Sequence, residues 1–379
     1  MSDVIFVPMS AHGHVNPLLP VLTEVLGRGA RARVLVSAEY APQVAATGAE
    51  VLLAPGGFDP FMPDGLSLAG LSRMARGMRD RGRFNKAAAA LLTEEIARAR
   101  PDSVVWDVLT PWARRAAVAQ GVPTIAWSTT YTLTEAAFLD GARERFGRPG
   151  RALAKASRLG RLHPSSRYPD PVLVNAVPEL QPALDSLDRT RVHLVGPLLR
   201  VPDRGADPLP WEEIERRPVV LFSPGTVFAR GPEFFRAAAE AFDGSDWLVL
   251  LSTGATDPAR LGVLPPNVIA RRTLPQQAVL AHTDVFVTHG GMNSVQEALA
   301  EGVPMVVVPR LGDQRGNASR LTERGLAITL VAKPRAAALR ASVERVAADA
   351  AMRARCERVR DRLAGEKPAV AAAAAVLGG

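Results

Sequence analysis

Two short stretches of this 379-residue chain gather side chains able to do chemistry. The first is Met9-Ser10-Ala11-His12-Gly13-His14-Val15-Asn16-Pro17, directly after the apolar run Val4-Ile5-Phe6-Val7. An imidazole titrates near neutral pH and is the natural base for taking a proton from a hydroxyl. Pro17 suits a helix start and Asn16 reads as its cap. Both histidines are therefore expected at a strand's C-terminal edge, where α/β proteins bind ligands. A base needs a partner that orients it and stabilises its imidazolium form. Asp107, at the end of Ser103-Val104-Val105-Trp106, is the candidate partner; the plainer role for it is a helix cap before Thr110.

The second stretch is Thr288-His289-Gly290-Gly291-Met292-Asn293-Ser294-Val295-Gln296-Glu297. It reads as a strand end, two glycines that let a ligand approach the backbone, and a helix beginning near Asn293. Asn293 and Ser294 are good caps, and the N–H groups of a helix start bind anions, a diphosphate among them. His289 is expected to donate to a phosphate oxygen, and Glu297, one turn on, to accept from ribose hydroxyls. Asp313 and Gln314, after the strand 304–308, can accept from and donate to vicinal sugar hydroxyls. Ser223-Pro224-Gly225-Thr226 ends an earlier strand and offers a second phosphate contact, or is an ordinary capped turn.

These residues need elements to hold them. Short β-branched runs alternate with Ala/Leu/Arg stretches, the pattern of parallel βα units. Strands are predicted near 3–8, 31–36, 50–53, 102–106, 123–127, 171–175 and 191–195, with helices near 16–28, 39–47, 86–99 and 110–120. A Pro/Gly-rich linker, 201–217, separates this N-terminal domain, 1–200, from a second βα series over 218–349. There the predicted strands lie near 218–223, 246–252, 267–271, 284–288, 304–308 and 326–330, with helices near 231–242, 275–281, 293–301, 314–324 and 335–348. The Ala-rich segment 350–379 is expected to be helical and to return to the first domain. The fold class is α/β, two Rossmann-like doubly wound domains facing a central cleft.

Composition narrows the function further. A 47% hydrophobic share fits an ordinary globular chain, and a single cysteine, Cys356, excludes an internal disulfide. The net charge of +8 comes from arginines scattered beside acids rather than from a basic block, which argues against nucleic acid. The chain opens as a strand with no basic leader, and no apolar run is long enough to span a bilayer, so a cytoplasmic protein is expected. G-x-G-x-x-G after a strand, the P-loop, H-E-x-x-H and D-x-D are all missing; dehydrogenase and P-loop chemistry are set aside and no metal or other cofactor is expected.

The ordered set Leu274-Pro275-Gln276, His289-Gly290-Gly291, Asp313-Gln314 and Asn317 resembles the donor signature of the UDP-glycosyltransferase family, in particular the bacterial macrolide and natural-product enzymes of GT-B fold. The resemblance implies His289, Asn293 and Ser294 at the diphosphate, Glu297 at the ribose, Asp313 and Gln314 at the sugar, and Gln276 at the base region; Gly225, Thr226, Thr273, Leu274 and Gly291 complete the expected donor-binding set. Thr273 stands where the family often has a base-stacking Trp. Gly13-His14-x-x-Pro17 resembles the family's G-H-x-x-P, which selects His14 as base and leaves His12 as a loop residue lining the cleft. Asp107 matches the family's partner acid. The implied reaction is inverting and metal-independent. It passes a hexose from a nucleotide sugar, UDP-linked glucose or a dTDP-deoxysugar, to a small apolar acceptor. Phe58, Phe61, Met62, Met74, Met78, Phe84, Trp127, Tyr131 and Phe138 are expected around that acceptor, each of them otherwise a core residue. A GT-B epimerase or hydrolase, and a catalytically silent nucleotide-sugar-binding helper, are the alternatives.

Overall fold

The computed structural model describes residues 1–56, 68–132, 169–204, 208–225, 230–310, 313–330 and 334–378, with the side chains of 68–75 and 78 excepted. The chain forms two compact units, Met1–Arg200 with Lys367–Gly379, and Val201–Glu366.

In the first unit seven strands form one sheet: β1 (Asp3–Val7), β2 (Arg31–Val36), β3 (Glu50–Leu53), β4 (Ser103–Asp107), β5 (Thr124–Ser128), β6 (Val172–Val174) and β7 (Val192–Leu194). Their order is β3-β2-β1-β4-β5-β6-β7, with every pairing parallel. Strands covered on both faces read as unbroken apolar runs, which is why Val4–Val7 and Val104–Trp106 were legible. The order reverses between β1 and β4, whose ends are in register at Val7 and Trp106. The opposite, N-terminal edge is tied by Arg33, fully buried, whose Nε and Nη2 reach the two Asp3 carboxylate oxygens at 3.1 and 3.0 Å. Its Nη1 lies 3.5 Å from Glu95 on the Leu68–Ala99 helix. That helix runs 32 residues, well beyond the predicted 86–99. Its first half carries Gly77, Gly82 and many arginines, which hid it from a reading based on apolar periodicity.

The second unit repeats the plan with β8 (Val219–Ser223), β9 (Leu248–Ser252), β10 (Val268–Arg271), β11 (Val285–Thr288), β12 (Met305–Val307) and β13 (Ala327–Thr329). The order is β10-β9-β8-β11-β12-β13, again all parallel, and it reverses between β8 and β11. Each sheet is doubly wound, and each reversal opens a crevice at the C-terminal ends of its two central strands.

Residues 201–217 belong to the second unit, where Leu209 and Ile214 are buried. The segment 350–379 divides. Asp349 caps the Ala350–Ala364 helix through Met352 N at 2.7 Å, and Met352, Cys356 and Leu363 are buried in the second unit. Pro368 then opens a new helix, Pro368–Leu377, which lies on the Leu18–Gly27 helix and buries Ala372, Ala373 and Val376 in the first unit's core. No helix among the described residues is long and apolar enough to cross a membrane.

The helix-on-helix contact predicts that Ala373→Asp, which buries an unpaired carboxylate, destabilises the first unit by about 3 kcal/mol. Thermal unfolding should fall by roughly 5–10 °C. The exposed neighbour Ala371 serves as control, and Ala371→Asp should change nothing measurable. Equal melting of the two variants would contradict the packing.

Candidate functional site

The turn after β1 brings the first site together. His12–Val15 forms a single helical turn, and a second helix, Leu18–Gly27, follows with Pro17 at its cap position. Asn16 makes no capping bond, contrary to expectation, because Pro17 already sets the helix entry. His14 Nδ1 lies 2.6 Å from Asp107 Oδ2, and the Asp107 side chain is completely buried. Two backbone donors hold the carboxylate in place, Leu109 N on Oδ1 at 2.8 Å and Met9 N on Oδ2 at 3.3 Å. A carboxylate only accepts, so Nδ1 carries the proton and Nε2 is the basic nitrogen of the neutral ring. Asp107 therefore orients His14; it also accepts from Leu109 N in the turn before the Pro111–Val118 helix and does not cap that helix.

Two contributors were not legible in the sequence. Thr129 Oγ1 lies 3.1 Å from the same His14 Nδ1. Buried Gln181 grips the loop that carries Thr129: its Oε1 accepts from Thr132 N at 3.0 Å and its Nε2 donates to Thr132 O at 2.8 Å. Neither residue sits in a motif, and only tertiary contact reveals them.

The expected acceptor residues divide. Phe84 is buried and lines a depression with Met9, Leu35, Leu109 and Trp112, beside the two backbone groups that hold Asp107. Trp127 instead points into the core at 1% exposure, because its place in β5 faces the Leu18–Gly27 side of the sheet; it lines no surface. His12 is exposed, not a loop residue, with its ring edge-on to Tyr40 and Nε2 3.7 Å from Glu39. Tyr131 is half-buried. Met74 lies on the long helix, as does Met78, and their side chains fall outside the described residues, together with Phe58, Phe61, Met62, Phe138 and Thr226.

The second unit builds the other constellation at its own reversal. Gly225, φ +88°, follows β8, and Gly290, φ +83°, follows β11. The His289 ring lies against both Gly225 and Gly291: a Cβ on Gly225 would come within 2.6 Å of Nε2, and one on Gly291 would also collide with it. The glycines thus make room for the imidazole. Burial is the main force pushing His289 down to about 4; a Ser223 backbone bond pulls the other way and the Arg230 charge adds to the depression. His289 is a neutral hydrogen-bonding group at physiological pH.

The Met292–Ala300 helix begins one residue earlier than expected. Gly291 takes the cap position and no side chain caps it, so Asn293 and Ser294 lie within the first turn. Asn317, fully buried, donates from Nδ2 to Gly290 O at 2.9 Å and fixes the corner. Gln276 Nε2 meets Ser294 Oγ at 3.2 Å and Glu297 Oε2 at 2.5 Å, which joins three residues expected at different parts of a nucleotide. Burial pushes the Glu297 carboxyl upward, against the pull of the Gln276 and Gln277 amides. Gln314 is buried with Oε1 accepting from Arg310 N at 2.9 Å, a role that turns its amide nitrogen to donation; Asp313, beside it, opens the Asp313–Glu323 helix. Thr273 is exposed, and Leu274 half-buried, at the end of β10.

Comparisons with known proteins bear on the family and the fold. The family described as "UDP-glucoronosyl and UDP-glucosyl transferase" matches residues 206–359. Demethyllactenocin mycarosyltransferase of Streptomyces fradiae is 31% identical, the alignment covering 98% of this chain and 85% of that protein. Oleandomycin glycosyltransferase of Streptomyces antibioticus is 33% identical over 84% of this chain and 77% of its own. Among solved structures, the calicheamicin glycosyltransferase CalG4 superposes with a TM-score of 0.78 at 32% identity, covering 100% of this chain and 98% of that one.

The enclosed imidazole predicts an acid-sensitive second unit. A folded pKa of about 4 lies below the ordinary histidine value of 6.5, so the unfolded chain binds the proton first. The stability from neutral His289 is complete above 6.5 and drains as pH falls toward 4, by about 3 kcal/mol. Denaturant unfolding at pH 7.5 and 4.5 should show that much less acid loss in His289→Gln than in the wild type. An identical acid loss in both would contradict the assignment.

Proposed function

The chain belongs to the UDP-glucoronosyl and UDP-glucosyl transferase family and is a glycosyltransferase; from that premise we propose an inverting, metal-independent transfer of a hexose from a nucleotide diphosphate sugar to a hydroxyl of a small apolar natural product. Its two parallel-sheet domains are those of the GT-B fold. The observation that carries the proposal is the 2.6 Å contact between His14 Nδ1 and the buried Asp107 carboxylate.

His14 Nε2 takes the proton of the acceptor hydroxyl, and Asp107 stabilises the imidazolium that forms. The freed oxygen attacks the anomeric carbon from the face opposite the diphosphate. One C–O bond forms as the bond to the phosphate oxygen breaks; the nucleoside diphosphate leaves with the electron pair, and the proton remains on His14. An α-linked donor then yields a β-glycoside. Developing charge on the leaving group is met by the His289 corner and the first turn of the Met292–Ala300 helix.

The Gln314 amide nitrogen and the Asp313 carboxylate suit a hydroxyl-rich hexose, which favours a UDP-sugar; a dTDP-deoxysugar is the second choice. The relatives, named for the natural products oleandomycin, demethyllactenocin and calicheamicin, support a natural-product acceptor.

Calorimetric titration with UDP and dTDP, free of added metal, tests the donor half. One nucleotide should bind to the wild type and be lost in His289→Ala; binding of neither would end the donor assignment. For the base, His14→Ala should lower turnover by about 10²–10⁴-fold while nucleotide affinity stays unchanged. Asp107→Asn should follow it, and activity should survive chelation. Full activity in His14→Ala would remove the mechanism.

A further inference from the structure

Arg230 lies outside every motif of the donor signature, yet at 7% exposure it is one of the few buried arginines among the described residues. It immediately precedes the Pro232–Ala241 helix and its cap Gly231. Thr256 Oγ1 donates to its carbonyl at 2.5 Å, fixing the backbone. Its Nη2 donates to Val308 O at 2.6 Å, and the guanidinium lies over the Phe234 ring at 5.0 Å. Val308 in turn donates its N–H to Thr288 O at 2.8 Å, the residue before His289. The guanidinium is therefore held at the C-terminal ends of β11 and β12, beside the His289 corner and the uncapped start of the Met292–Ala300 helix.

The electrostatics point the same way. Burial, then the neighbouring Arg310 charge, bring Arg230 down to about 10, which leaves it cationic at neutral pH. Its field reaches His289 and disfavours protonation there. A buried guanidinium beside a neutral imidazole at the C-terminal edge of the sheet offers fixed donors to an anion.

We propose that Arg230 is a donor-binding residue whose guanidinium receives the terminal phosphate of a nucleoside diphosphate at the His289 corner, an inference that rests on the nucleotide-sugar reading above. That phosphate gains charge as the anomeric bond breaks, so a fixed cation there acts on the leaving group as well as on binding. A nucleoside monophosphate lacks that group and cannot use Arg230.

The test compares UDP with UMP (and dTDP with dTMP) by calorimetry on wild type, Arg230→Gln and Arg230→Lys, with thermal melting of each protein. Wild type should prefer the diphosphate, and Arg230→Gln should lose about tenfold or more of diphosphate affinity with little change for the monophosphate. Arg230→Lys, which keeps the charge, should retain most of the preference, and it decides the matter if Arg230→Gln melts below the assay temperature. An unchanged diphosphate preference in Arg230→Gln, or equal losses for both nucleotides, would make Arg230 a structural residue only. It is likewise structural only if Arg230→Lys loses the preference while melting like wild type. If wild type binds none of the four nucleotides, the donor reading itself fails and this inference falls with it.

Discussion

The constraint on which the rest depends is the reversal of strand order at the centre of each sheet. Parallel strands need right-handed crossovers, so the chain leaving β1 turns to one side of the sheet and the chain leaving β4 to the other. The loops part, and the ends of the two central strands are left open. The residues assigned to the base pair and to the phosphate corner stand at these openings. His14 follows β1 and Asp107 ends β4; Gly225 follows β8 and His289 follows β11. The fold spends its charge–charge fastening at the other end of the first sheet, where Arg33 joins Asp3 and Glu95.

The two openings are furnished with opposite electrostatics. The first holds a buried carboxylate, fixed by two backbone donors and an imidazole, so a proton arriving on His14 meets a compensating charge already in place. The second holds neutral and cationic donors: an imidazole kept neutral by enclosure, a helix start without a capping side chain, and two arginines nearby. In the proposed mechanism the first opening gains a positive charge and the second receives a negative one, the division of labour that deprotonation of a nucleophile and departure of a diphosphate require.

Much of this was legible in the sequence, for a physical reason in each case. Strands buried on both faces announce themselves as apolar runs, and all thirteen among the described residues appear where predicted. The placement of His14, Asp107 and His289 at strand ends was legible because strand ends in a doubly wound sheet are where ligand groups belong, whereas the choice of His14 over His12 rested on the resemblance to the family's G-H-x-x-P. The first half of the long helix was not, because Gly77, Gly82 and the arginines around them give no apolar stripe. The division of 350–379 was hidden for a related reason: an Ala/Arg helix can pack on either unit, and the choice is made by Met352, Cys356 and Leu363, which resemble any other apolar residues in a string. Trp127 shows the reverse error, an aromatic expected at a ligand and used as core. Thr129, Gln181 and Arg230 act across gaps of 115, 49 and 78 residues, and no local pattern encodes such contacts.

At the centre of the proposed mechanism is a single displacement by a hydroxyl that His14 has deprotonated. It is tested most directly by the configuration of the first glycoside formed from an α-linked nucleotide sugar, followed by proton NMR during turnover. A single displacement predicts a β-glycoside from the earliest time point, read from the large coupling between the anomeric proton and its neighbour in a gluco-configured sugar. An α-glycoside as the first product would contradict it, since retention demands a second displacement or a front-face attack that the His14–Asp107 pair does not provide.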